Sequence, residues 1–167
     1  DVGVSAPTVR QWMSVLEASQ IIYLLRPWHR NIGKRVRKVP KVYLIDPGLA
    51  SFLMGLHSRE SIQQGPSHGS LLETAVIGEW IKAFRSAGLE PPLSYWQVDR
   101  SGEIDLIIEY DDRLYALEVK ATATPTPEHA RTLVRWGARI GGLAGAAVAC
   151  NILQPVNLAP GVRAIPW

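Results

Sequence analysis

The chain has 167 residues, 47% apolar and 20% charged, with 18 Lys/Arg against 15 Asp/Glu, a net charge of +3 and one cysteine, Cys150. This is ordinary globular composition, enough for one domain or two small ones, and it excludes low-complexity disorder and a disulfide framework. No stretch approaches the roughly 20 apolar residues of a membrane span, no leader-like segment opens the chain, and no phosphate loop of the G-x-x-x-x-G-K-S/T type occurs.

A lone thiol within "LAGAAVACNIL" reads as a packing residue in a reducing, cytoplasmic setting. The start at Asp1, inside what looks like a motif, suggests a fragment of something longer, with no ATP site of its own.

In chain order, "SAPTVRQWMSVLEAS" reads as a helix started by Ser5 and Pro7, with Val9, Trp12, Met13 and Leu16 at helical spacing and Arg10, Gln11 and Ser14 on the opposite face. "IIYLLRP" and "KVYLIDPG" follow as two β-prone runs joined by a basic turn. Residues 1–58 are grouped as one segment, and the polar residues 59–68 are expected to be a linker. The third segment, 69–167, opens with a helix in "SLLETAVIGEWIKAFRSAG", striped by Leu72, Val76, Trp80, Ile81 and Phe84. "LSYWQV", "EIDLIIE" and "RLYALEVK" are strands joined by short turns. "TPEHARTLVRWGAR" is a helix, and "GLAGAAVACNI" and "VRAIPW" are the closing strands, although the first also suits a helix on composition.

Strands "EIDLIIE" and "RLYALEVK" carry the candidate chemistry. With Asp111 and Asp112 at the hairpin tip, antiparallel partners have numbers summing to 223. This sets Ile104, Leu106 and Ile108 against Val119, Leu117 and Tyr115 on one face, and Asp105 opposite Glu118 with Glu103 opposite Lys120 on the other. Two facing carboxylates call for a cation or a proton between them. Mg²⁺ (or Mn²⁺), held by Asp105 and Glu118, would answer this with hard oxygen ligands, and Lys120 would orient or deprotonate a water for phosphodiester hydrolysis. The plainer alternative is a solvent face with a Glu103–Lys120 ion pair.

The N-terminal part is basic. From Arg26 to Lys41 there are seven Lys/Arg and no acid, so Arg30, Lys34, Arg35, Arg37 and Lys38 are candidate phosphate contacts, while Arg10, Gln11 and Ser14 are candidate base contacts of the helix before them. A helix followed by a basic hairpin is the order found at the end of a winged helix. A solvated strand edge and a protein-binding surface are the alternatives.

The ordered set "GSLLETAV", "EIDLII" and "LEVKAT" resembles the PD-(D/E)XK restriction-endonuclease-like superfamily. With "TVRQWMSVLE" and "KVYLIDPGLASFL" added, nearly the whole chain resembles the C-terminal half of a group of prokaryotic AAA-type ATPases of uncertain function. The resemblance implies an α/β fold with a restriction-endonuclease-like mixed sheet flanked by helices, preceded by a small winged-helix-like α+β segment. It also implies Asp105 and Glu118 as metal ligands, Lys120 as catalytic lysine, Glu73 as a helix-borne carboxylate, DNA as a partner and an ATPase module upstream. Ile104 stands where the motif has proline. Glu73 has a second reading, since Ser70 to Glu73 spells an S-x-x-E capping box. A nuclease fold retained as a non-catalytic binding or interaction module is the alternative to activity.

Overall fold

The computed structural model describes residues 3–29, 39–97 and 102–167. One mixed sheet of eight strands, in the order β2-β1-β3-β4-β5-β6-β8-β7, runs through the molecule with helices packed on it.

Helix α1 (Ala6–Ala18) starts as its sequence dictates, with Ser5 as N-cap and its hydroxyl accepting from Thr8 N at 3.3 Å. Its apolar stripe is only partly covered, however, with Met13 and Leu16 half-buried. No residue of α1 is buried, and Trp12 and Val15 are 54% and 60% exposed. Strands β1 (Ile22–Pro27) and β2 (Lys41–Leu44) form an antiparallel pair, and β1 lies parallel to β3 (Leu93–Gln97), with Arg26 beside Ser94 and Pro27 beside Tyr95. The first segment therefore extends the same sheet as the third.

Residues 59–68, read as linker, contain helix α3 (Arg59–Gln64), closed by a reciprocal capping box between Ser58 and Ser61. Its polar sequence offers no apolar period to reveal it. The seven-residue α2 (Pro47–Leu53), capped by Asp46, is also too short to show one.

Helix α4 (His68–Ser86) covers one side of the sheet, where Val76, Ile77 and Ile81 pack with Leu25, Leu106 and Leu117. It begins two residues earlier than Ser70, so Ser70 and Glu73 lie inside the helix and the capping-box reading of Glu73 is overturned. Gly78 lets α4 approach the end of β2, because a Cβ there would stand 2.9 Å from the Ile45 carbonyl oxygen. A mid-helix Gly→Ala change ordinarily adds up to about 1 kcal/mol. Gly78→Ala is expected to lose about 1–3 kcal/mol through overpacking, read as a lower urea midpoint; a higher midpoint would contradict this contact.

Strands β4 (Glu103–Tyr110) and β5 (Arg113–Lys120) meet at a two-residue turn, Asp111 and Asp112, both with positive φ (53° and 54°) as a type I′ hairpin requires. The pairs from Tyr110–Arg113 to Leu106–Leu117 all have the register expected from the sequence. Ile104 departs from it. It packs on the opposite side of the sheet from Leu106 and Ile108, with Ile107 and Ala116, and the β3–β4 register shifts between Ser94 and Trp96. Such an irregularity turns one residue out of alternation.

Helix α5 (Pro127–Ile140) covers that opposite side through Leu133 and Trp136. Strands β6 (Gly145–Cys150) and β8 (Val162–Pro166) run parallel to β5 and to each other, and β7 (Val156–Ala159), absent from the sequence reading, pairs antiparallel with β8 at the edge. The Ala/Gly-rich run is thus a strand. Cys150 is fully buried on the α5 side.

Candidate metal centre

Pairing between β4 and β5 ends at Leu106–Leu117, although both strands run on toward the charged end of the hairpin. There β4 stays beside β3, with Ile104 against Trp96 and Glu103 against Gln97. β5 stays beside β6, with Glu118 against Val148 and Lys120 against Cys150. The sheet forks at this point, and Asp105 and Glu118 sit one step beyond the last pair. Instead of a main-chain acceptor, the Val119 amide donates to Asp105 Oδ2 at 2.8 Å.

Both carboxylates are buried, each in a residue only 7% exposed. Lys120 Nζ donates to Glu118 Oε1 at 2.6 Å, while Glu118 Oε2 is buried with no hydrogen-bond partner. A buried, unsatisfied carboxylate oxygen is costly and asks for a ligand. Burial, then the neighbouring Glu118 and Glu73 carboxylates, push Asp105 up to about 7 against the opposing pull of the Val119 amide and Lys120. Burial likewise raises Glu118, with Lys120 foremost and the Asp105 main-chain amide opposing. Burial lowers the affinity of Lys120 for its proton, but Glu118 foremost, then Asp105 and Glu73, outweigh it and the net shift is upward.

Glu73 reaches this centre from α4. Glu73, Glu103 and Asp105 each offer an oxygen, and the three lie within 4.8 Å of one another. Metal–oxygen distances of about 2.1 Å place neighbouring ligand oxygens roughly 3–4 Å apart, so a small closure suffices. Glu118 lies outside this group of three, and its charge, like that of Glu73, acts on Asp105. The oxygens of Glu73, Glu103 and Asp105 are the hard donors that a divalent cation of the Mg²⁺ or Mn²⁺ kind takes.

Two residues that the sequence reading did not single out belong here. Lys41 Nζ donates to Glu73 Oε1 at 3.1 Å and forms an ion pair with Glu103 Oε1, and Tyr43 OH donates to the same Glu73 oxygen at 2.5 Å. Both sit on β2, brought beside α4 by packing that no local pattern announces. Glu103 Oε2 accepts from Gln97 Nε2 at 3.0 Å. The Glu103–Lys120 ion pair, the plainer alternative for the hairpin, does not form: Lys120 is with Glu118 and Glu103 with Lys41.

Arg10, Gln11 and Ser14 lie exposed on α1, where the Ser14 hydroxyl donates back to the Arg10 carbonyl at 3.0 Å. Arg30, Lys34, Arg35, Arg37 and Lys38 fall outside the described residues.

The raised Asp105 makes stability depend on pH. The folded chain keeps a proton that the unfolded chain gives up above the ordinary value of 3.8, so this contribution is intact below 3.8 and is lost as pH climbs toward about 7. In chelator, Asp105→Asn removes the penalty. Its melting temperature is expected to gain on the wild type as pH goes from 5 to 8, and a pH-independent difference would contradict the burial argument.

Among known proteins, a family model described as "Domain of unknown function (DUF8612)" matches residues 1–60, and one described as "Domain of unknown function (DUF4143)" matches residues 68–167, more than half the chain. Two mycobacterial relatives are similar to it: Uncharacterized protein Rv2008c of Mycobacterium tuberculosis and Uncharacterized protein Mb2031c of Mycobacterium bovis. Each is 36% identical over 126 residues, 75% of this chain. The match spans 27% of each relative's length. No solved structure matches the chain. Among the described residues no helix is long and apolar enough to cross a membrane.

Proposed function

The chain belongs to the DUF4143 family, a domain of unknown function, and from that premise we propose that it is a metal-dependent, PD-(D/E)XK-type phosphodiester hydrolase domain joined to a winged-helix-like DNA-binding segment, the effector part of an upstream AAA-type ATPase. The observation that carries this reading is the forked sheet end, where buried Glu118 keeps an oxygen without a partner beside a second buried carboxylate, Asp105.

Asp105 and Glu118 would hold Mg²⁺ or Mn²⁺, with Glu73 and Glu103 completing the acidic surround. Bound there, the ion would lower the pKa of a coordinated water and offset charge developing on a scissile phosphate. The Val119 amide fixes the Asp105 carboxylate through its 2.8 Å bond, so Asp105 needs no reorganisation. Lys120, tethered to Glu118 and 38% exposed in its side chain, positions a water and offsets charge developing on the phosphate. Exposed Arg10, Gln11 and Ser14, together with the basic residues 30–38, supply the proposed DNA contacts.

Cleavage of duplex, branched and single-stranded DNA by the full-length protein in Mg²⁺ or Mn²⁺ tests the proposal; no cleavage of any of them sinks it. A second reading, a non-catalytic nucleic-acid-binding or ATPase-docking module on a retained nuclease fold, is favoured by Lys41, which already compensates part of the carboxylate charge. It predicts binding without cleavage, with DNA affinity that falls steeply with salt or with stable association to the ATPase module instead.

A further inference from the structure

Lys41 is the unexpected member of the acidic centre. It comes from strand β2, in the part of the chain matched by a different family model from the one that covers the carboxylates. Its ammonium contacts two of the three clustered carboxylates, Glu73 and Glu103, and lies 5.4 Å over the ring of Tyr95. Tyr43, two residues on, donates to the same Glu73 oxygen. The side chains of Lys41 and Glu73 are only 26% and 24% exposed, so the contact is shielded in part from screening. An ammonium in this position serves the carboxylates as a cation would.

We propose that Lys41 is the resident counter-cation of the Glu73–Glu103–Asp105 cluster and that a divalent cation loading the centre displaces it. The proposal rests on the metal-site reading above and adds its regulation. The physical reason is competition. The Glu73 oxygen bonded to Lys41 cannot give its full charge to an ion, and two cations within a few ångströms repel. Lys41 pairs with Glu73 and Glu103 but has no ion pair with Asp105, the third and most buried carboxylate of the cluster. A phosphodiester substrate would offer the freed ammonium a new anion.

The test uses the full-length protein and Mn²⁺ as the probe. Acetylation of Lys41 by acetic anhydride, followed by mass spectrometry, is expected to speed up severalfold at saturating Mn²⁺. Lys82, an exposed lysine paired with Glu79 on α4, serves as the internal standard and should not change. In parallel, calorimetric titration is expected to show Lys41→Met binding Mn²⁺ at least about fivefold more tightly than wild type, from the removal of a nearby unit charge, with Lys41→Arg near wild type. Mn²⁺ binding to wild type with unchanged Lys41 acetylation overturns the displacement, even if Lys41→Met binds more tightly, and leaves the metal site standing. No Mn²⁺ binding to wild type or to Lys41→Met overturns both. The acetylation experiment needs no variant, so a Lys41→Met that fails to fold does not blunt it.

Discussion

Lys120→Ala is expected to lower divalent-dependent DNA cleavage by roughly a hundredfold to a thousandfold, the usual worth of one preorganised electrostatic group, while the protein stays folded. The ammonium is held at 2.6 Å from Glu118 Oε1 at the end of β5, close to both buried carboxylates but not itself an oxygen ligand. Its removal leaves Glu118 without the partner of one oxygen while the other already has none, so the metal-free variant should melt lower, and Mn²⁺ should restore part of the loss. Lys120→Arg sharpens the assignment. The guanidinium keeps a charge beside Glu118 but spreads it over a wider planar fork than the compact ammonium, so this variant should recover stability and little cleavage. Cleavage by Lys120→Ala within tenfold of wild type would remove the lysine from the mechanism.

Trp136→Ala carries the largest expected effect on folding, about 3–5 kcal/mol, the typical cost of truncating a buried aromatic, against the roughly 5–15 kcal/mol that holds a domain of this kind together. Trp136 on α5 is 1% exposed. Its ring meets Trp28 edge-on at 5.3 Å between centroids and Trp96 at 5.6 Å, geometries that add to plain burial. These three indoles join α5, the end of β3 and the chain just after β1. Their loss should therefore loosen the first segment as well as the third. Urea denaturation followed by tryptophan fluorescence and by circular dichroism measures the change; a loss under about 1 kcal/mol would mean that the cavity collapses without cost.

The parts legible in the sequence were those with a local cause. Alternation and the Asp111–Asp112 turn set the register of β4 and β5, because burying Leu106, Ile108, Tyr115 and Leu117 on one side leaves only one alignment. Helices α4 and α5 followed from their apolar stripes, and the start of α5 from Thr126 and Pro127. Pieces too short or too polar for periodicity, α2, α3 and β7, were not legible.

At the candidate site, the pattern identified Asp105, Glu118 and Lys120 as charges on a β-hairpin. It did not show that the ladder stops before them, nor that Ile104 changes sides, since both depend on how β4 follows β3. Lys41 and Tyr43 reach Glu73 only because β1 joins the sheet beside β3 and carries β2 against α4, a long-range pairing with no local signature. Glu103 is within reach of reasoning, two residues from Asp105, but the strand register sets it opposite Lys120, whereas it meets Lys41.

The central claim is that the forked end of β4 and β5 is a cation site. Crystals of the protein soaked in Mn²⁺ and measured at the manganese absorption edge test it most directly. The account predicts an anomalous peak between the carboxylates of Asp105 and Glu118, with Lys41 withdrawn from Glu73. Well-ordered Asp105 and Glu118 at saturating Mn²⁺ with no peak between them would contradict it.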